Sequence, residues 1–289
     1  MSKKGLKTPL RYPGGKSRAC TKMGEYFPDL REYVEFREPF LGGGSVAIHV
    51  SKLYPHLKIT VNDLYEPLIN FWMNLQMFGD ELSTNLKNLK IAHPNQDSAR
   101  CLFAEMKDVI NDSTQTNLDR AVAFYVVNKC SFSGLTESSS FSAQASDSNF
   151  SMRGIEKLPE YSDIISHWHI NSYSYEYCFQ NNIHDGLFMY LDPPYDIKDN
   201  LYGKKGAMHK GFNHDQFAED CSKSSVHQLV SYNSDQLVKD RFKGWNAGEF
   251  NLTYTMRSVG EYMKDQQTRK ELLLFNYEKT VANLEVCTG

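Results

Sequence analysis

The sequence contains no apolar run approaching the roughly 18–20 residues that a membrane-spanning helix needs. Its basic N-terminus lacks the apolar stretch of a secretory signal. The cysteines, Cys20, Cys101, Cys130, Cys178, Cys221 and Cys287, are scattered, with no Cys-x-x-Cys pair and no His cluster at zinc spacing. A membrane protein, a disulfide scaffold and a zinc module are therefore not expected. No metal is implied, and the thiols read as reduced, in a cytoplasmic protein. No internal repeat is evident. Charge of one sign is also missing: the net charge is −3, so the molecule as a whole does not advertise nucleic-acid binding. A phosphate loop is absent too. Pro13-Gly14-Gly15-Lys16-Ser17 ends in Gly-Lys-Ser, but the glycine required five residues before the Gly-Lys pair is Leu10.

What is present is the composition of a globular protein, 40% hydrophobic and 23% charged over 289 residues, enough for one large domain or one domain carrying an insertion. Charge is concentrated locally. Residues 1–24 hold seven Lys or Arg and no acid, and Lys198, Lys204, Lys205 and Lys210 form a second cluster with one acid, Asp199. Either cluster is equally well read as a solvated surface.

Tyr33–Phe40 alternates in part like a strand, Ser45–Leu53 reads as a helix, Lys58–Val61 as a strand and Pro67–Phe78 as a helix. This is a βαβ unit of a parallel sheet. Residues 80–127 carry helical periodicity. Ser131–Arg153, rich in Ser and poor in apolar periodicity, reads as a surface loop or hairpin that buries little. Strand signals return at His167–Tyr173, Leu187–Leu191, Gln228–Ser231 and Glu271–Tyr277. The expectation is an α/β sheet domain, residues 1–75 and 164–289, interrupted by a mostly helical insertion over 76–163.

Gly42-Gly43-Gly44-Ser45-Val46-Ala47 follows the first strand and opens a helix, in the form G-x-G-x-x-A. Glycines there let the backbone turn tightly and approach a nucleotide-like ligand. Asp63, 21 residues beyond Gly42, ends the next strand, where a carboxylate accepts hydrogen bonds from ribose hydroxyls. A purely structural turn is the competing reading, and Asp63 weighs against it.

Asp192-Pro193-Pro194-Tyr195 follows the apolar strand Leu187–Leu191, and ligands of open α/β sheets sit beyond the carboxyl ends of strands. Successive prolines fix the backbone and supply no N–H, leaving rigid carbonyls. The amine of adenine is a poor nucleophile because its lone pair is delocalised into the ring. Asp192 and the Pro193 carbonyl can accept its two N–H bonds, and the Tyr195 ring can stack on the base. Methyl transfer then gains from positioning and electrostatics.

At these residues the chain resembles the Dam-like, D12 class family of DNA adenine-N6 methyltransferases, across nearly its whole length. Leu10-Arg11-Tyr12-Pro13-Gly14-Gly15-Lys16 is similar to the family's N-terminal cofactor segment, and Glu38–Val46 to its glycine motif. Asn128–Leu135 resembles its Asn-Arg-x-x-Tyr-Asn-Gly-Leu segment, and Ser231–Asp235 and Glu271–Tyr277 resemble its C-terminal strands. The resemblance implies a class I, Rossmann-like methyltransferase sheet, S-adenosylmethionine as cofactor and double-stranded DNA as partner. It also implies cofactor contacts by Tyr12, Lys16 (near the cofactor carboxylate), Phe40, Gly42, Gly44, Ser45 and Asp63. Ile170, Asn171 and Ser172 would flank the cofactor adenine, and Asp192 would serve both cofactor and substrate.

On the DNA side, Phe132 stands where relatives have a tyrosine, Ser133 replaces their asparagine, and Lys129 their arginine. An apolar wedge at Phe132 suits base extrusion. Gln144 and Arg153 are candidates for base edges, Lys204, Lys205 and Lys210 for phosphates. Residues 138–153 do not resemble the version that reads GATC, so a different short palindrome is expected. A restriction endonuclease partner and a bacterial or virus-infected host fit the family. RNA adenine as substrate, and an inactive cofactor- or DNA-binding module, are the alternatives. Asp192 argues against cytosine, whose N4 enzymes usually carry Ser there.

Overall fold

The computed structural model of the chain describes residues 6–12, 14–134, 139–195, 211–252 and 269–278. A short helix α1 (Cys20–Gly24) precedes β1 (Glu35–Glu38), α2 (Ser45–Leu53), β2 (Lys58–Asn62) and α3 (Glu66–Ala92). Five helices follow: α4 (Gln96–Val109), α5 (Asn117–Cys130), α6 (Ala143–Ser148), α7 (Met152–Ile155) and α8 (Leu158–Ile165). Then come β3 (His169–Asn171), α9 (Glu176–Gln180), β4 (Leu187–Leu191) and α10 (His214–Lys223). β5 (His227–Asn233), α11 (Gln236–Arg241), β6 (Asn246–Leu252) and β7 (Arg269–Phe275) complete the described elements.

The strands form one sheet in the order β3-β2-β1-β4-β5-β7-β6, with β7 antiparallel to both neighbours and the other pairs parallel. This is the α/β, class I methyltransferase sheet expected. The order reverses between β1 and β4, and at such a switch point the crevice outside the carboxyl ends of the strands is the usual ligand site. β4 is apolar throughout because both of its faces are covered. Phe188 and Tyr190 join the core under α2, α3 and α5, while Leu187, Met189 and Leu191 join a second core with Phe217, Val230, Tyr232 and Leu272.

α2 has the span expected. α3 runs past the expected end at Phe78, where the backbone leaves the helical region (φ −131°, ψ 35°). The cause is α8: the Ser162 hydroxyl donates to the Gln76 carbonyl at 3.1 Å, occupying an acceptor of the helical ladder. A Cβ on Gly79 would stand 2.5 Å from that of Ser162, so only glycine lets the two helices close there. α3 packs on α5 and α8, and α5 on α4.

Two segments differ from expectation. Ser131–Arg153 is not a loop that buries little: Ser131 bridges Phe141, α6 and α7 form, and Phe150 is fully buried. Two of its serines, Ser142 and Ser151, are helix caps. Ser142 Oγ accepts from Ala145 N–H at 3.2 Å and Ser151 Oγ from Gly154 N–H at 3.3 Å. The second is β6, which has no strand signal in the sequence. Gly248 interrupts its pattern because the Tyr26 ring lies against it, 2.0 Å from where a Cβ would be.

Candidate active site

The glycine turn lies between β1 and α2. Gly42 (φ 48°) and Gly44 (φ 65°) are left-handed. A Cβ on Gly42 would stand 2.9 Å from the Tyr12 ring, and one on Gly44 2.7 Å from Trp72 Cζ2. Trp72 also donates its indole N–H to the Gly42 carbonyl at 3.1 Å, so α3 clamps the turn. Asp63, beyond β2, accepts from Gly42 N–H at 2.9 Å and Tyr65 N–H at 3.0 Å. Burial pushes the Asp63 carboxyl pKa up, and these backbone donors partly offset it.

Asn62 ties the neighbouring strand ends together. Its amide donates to the Pro39 carbonyl at 3.1 Å and the Tyr173 carbonyl at 2.9 Å, and its oxygen accepts from Tyr173 N–H at 2.9 Å. The half-buried Ile170, Asn171 and Ser172 thereby sit beside the turn, with Asp63 N–H donating to the Asn171 carbonyl at 3.3 Å. Ser45 is buried at the start of α2. Phe40 stacks on Tyr175 at 5.6 Å between ring centres and belongs to the second core.

Across the switch point, Asp192 leaves the end of β4. Lys16, 2% exposed, places its Nζ 2.8 Å from each Asp192 carboxylate oxygen and 2.8 Å from Tyr195 Oη. The same ammonium donates to the Gly14 carbonyl at 3.0 Å and lies 3.2 Å from Glu271 Oε1. Tyr195 donates its hydroxyl proton to Glu271, and Ser231 donates to Asp192 Oδ1 at 2.8 Å. Burial disfavours the Lys16 charge, yet Asp192 and Glu271 outweigh it and carry the amine pKa well above its ordinary value. Burial likewise raises Glu271, with Lys16 opposing, and raises Glu38, whose carboxyl accepts from Ala47 N–H at 2.8 Å.

The structure thus brings Tyr12, Lys16, the glycine turn, Asp63, residues 170–172 and Asp192–Tyr195 to one edge of the sheet. The DNA-side candidates are spread more widely. Phe132 is 53% exposed, while its N–H donates to the Ser140 carbonyl at 2.9 Å. Ser133 lies beside it in the short turn Phe132–Gly134. Gln144 and Arg153 are exposed on α6 and α7. Lys129 is half-buried, 5.2 Å from the Tyr125 ring centre, and burial lowers its pKa to about 7. Lys204, Lys205 and Lys210 lie outside the described residues.

Sequence reasoning missed Glu271, Ser231, Trp72 and Asn62 as parts of this edge. A lone acid opening the apolar strand Glu271–Phe275 was the one available signal for Glu271. The donor set fits a nucleoside cofactor carrying a positive charge. Asp63 offers a ribose acceptor, and the half-buried Asp192 and the buried Glu271 carboxylates both lie on the Lys16 ammonium.

Comparison with known proteins agrees. The chain is 23% identical over 292 residues to the type II methyltransferase M1.LlaDCHI of Lactococcus lactis subsp. cremoris, covering 96% of this chain and 97% of that protein. It is 22% identical to the type II methyltransferase M.MjaIII of Methanocaldococcus jannaschii, over 94% of this chain and 99% of that protein. The type II methyltransferase M.CviBI of Paramecium bursaria Chlorella virus NC1A is 20% identical, over 94% and 100% respectively. The D12 class N6 adenine-specific DNA methyltransferase family matches residues 12–257, from the Tyr12 segment past the Asp-Pro-Pro-Tyr turn, and the chain belongs to that family.

Proposed function

We propose that this adenine-specific DNA methyltransferase acts on one adenine of a short duplex palindrome other than GATC, after flipping that base out of the helix. The observation that carries the reading is that the glycine turn and Asp192 leave the ends of the adjacent parallel strands β1 and β4, at the switch point. S-adenosylmethionine, when bound, supplies an electrophilic methyl group on a positively charged sulfur.

The chain's own residues do the rest. Tyr12, Phe40, Gly42, Gly44 and Ser45 form the wall against the methionine part, with Lys16 as a positive charge near its carboxylate, the ammonium protons being held by protein oxygens. Asp63 accepts from the ribose hydroxyls, and Ile170, Asn171 and Ser172 flank the cofactor base. Asp192 and the Pro193 carbonyl accept the two N–H bonds of the target amine and turn its lone pair out of the ring plane. Pro194 keeps that carbonyl rigid, and the Tyr195 ring faces the base. No strong base is needed, because the amine proton becomes acidic once nitrogen is alkylated.

Residues 76–163 serve as the inserted recognition region. Phe132 is the wedge, and its exposure on a segment pinned by main-chain bonds supports that role. Lys129, Ser133, Gln144 and Arg153 complete the protein side of the groove, and Lys204, Lys205 and Lys210 hold phosphates. A type II restriction system, with a cognate endonuclease, is the setting that the named relatives support.

The test is methylation of a mixed-sequence plasmid with labelled cofactor, with modified bases mapped by single-molecule sequencing. Methyladenine at one short motif is the expected result. Transfer to RNA alone, methylcytosine, or cofactor binding without turnover would each replace the reading.

A further inference from the structure

Among the described residues, five oxygens surround Lys16 Nζ: the Gly14 carbonyl, both Asp192 carboxylate oxygens, Tyr195 Oη and Glu271 Oε1. An ammonium has three protons. The surplus matters, because Asp192 is the group the adenine amine needs. If the ammonium releases both Asp192 oxygens, three acceptors remain for its three protons, and one of them belongs to a carboxylate.

Glu271 is an unusual residue for its place. It pairs with Asn233 of β5 and Phe250 of β6, is 2% exposed, and is followed along β7 by three buried leucines. A carboxylate so buried is costly unless it is paired. Among its partners are the Lys16 ammonium and the Tyr195 hydroxyl, which donates to it while accepting from Lys16. Asp192, for its part, keeps a donor of its own in the Ser231 hydroxyl at 2.8 Å, which fixes the carboxylate when the lysine lets go.

We propose that Glu271 is a positioning residue for methyl transfer: together with Tyr195 and Gly14 it holds the Lys16 ammonium, so that the Asp192 carboxylate can pass to the adenine amine. The inference rests on the reading of Asp192 given above. In a Glu271→Gln protein Asp192 is, among the described residues, the one protein anion left in contact with the ammonium, and the lysine competes with the amine for it. The hydroxyl of Tyr195 belongs to the same device, separately from its ring.

The experiment compares wild type, Glu271→Gln, Tyr195→Phe and the double variant on the mapped duplex. Two measurements are made: steady-state methyl transfer, and binding of the target duplex against one with purine (hydrogen in place of the 6-amine) at the target position. Glu271→Gln is expected to lower kcat at least about 10-fold, the scale of a lost charged hydrogen bond, with KM for S-adenosylmethionine changed less than about 3-fold. Its preference for adenine over purine is expected to collapse. The double variant is expected to be no worse than Glu271→Gln alone, since both changes break one chain of contacts.

Wild-type kcat and wild-type adenine preference in Glu271→Gln would overturn the inference. So would a loss of cofactor affinity with kcat and preference intact. If Glu271→Gln does not fold, Tyr195→Phe decides, and undiminished kcat and preference there are equally fatal. Absence of methyladenine with the wild-type protein is a different result, seen before any variant is made, and it would remove the reading of the site itself.

Discussion

Asn128 grips the main chain of Arg11 on both sides: its Oδ1 accepts from Arg11 N–H at 3.0 Å, and its Nδ2 donates to the Arg11 carbonyl at 2.7 Å. The same amide reaches the Gly134 carbonyl at 3.2 Å, and Arg11 Nη1 donates to the Ser131 carbonyl at 2.8 Å. One buried side chain therefore joins the segment of Tyr12 and Lys16 to the segment of Phe132. Asn128→Ala leaves buried main-chain groups unpaired and is expected to destabilise the fold by about 2–4 kcal/mol. Urea denaturation measures the loss, and weakened cofactor and DNA binding should appear together.

Asp192→Ala removes the acceptor proposed for the target amine but leaves Lys16 with Glu271. Turnover is expected to fall by at least about 10²-fold, the scale of one preorganised electrostatic group, while the fold survives. Single-turnover transfer of labelled methyl checks the first point and thermal unfolding the second. Normal activity would remove Asp192 from the mechanism.

Gly44→Ala places a Cβ on left-handed backbone and into Trp72. The strain and the clash together are expected to cost about 2 kcal/mol or more. Thermal melts with and without S-adenosylmethionine should show a lower midpoint and a smaller shift on adding cofactor.

The Glu35 carboxylate at the start of β1 contributes to the acid limb of stability. Burial alone would raise its pKa, but Arg37 Nη2 at 2.8 Å, Thr60 Oγ1 at 2.9 Å and Lys58 Nζ at 3.2 Å hold it down to about 2. A folded pKa below the unfolded one stabilises the protein above the unfolded value of 4.5, and this contribution is lost as pH falls from there towards about 2. The stability difference between wild type and Glu35→Gln, measured by urea titration at each pH, is expected to shrink by about 3 kcal/mol across that window.

The elements legible in the sequence are those fixed by local pattern. Ser45–Leu53 and Leu187–Leu191 have the expected bounds because a helical face leaves a periodicity and a doubly covered strand an unbroken apolar run. β6 was not legible because the cause of Gly248, the ring of Tyr26, lies far away in the chain. Phe150 was hidden in a serine-rich stretch whose polarity does capping work. At the site, Asp192 and the glycine turn were visible as motifs. The sequence points Lys16 towards the cofactor's carboxylate, whereas its contacts with Asp192 and Glu271 join three distant segments of the chain, which no local pattern encodes.

β7 enters between β5 and β6, and it is the strand that carries Glu271. As the polypeptide leaves the ribosome, Lys16, the glycine turn and the Asp-Pro-Pro-Tyr turn are all made long before residues 269–275. Until those residues arrive, the sheet stays open beside β5, and the buried ammonium of Lys16 has Asp192 but not Glu271 to rest on. The order of strands in the sheet thus sets an order in time, in which the constellation around Asp192 closes only once the last described strand has been synthesised and paired.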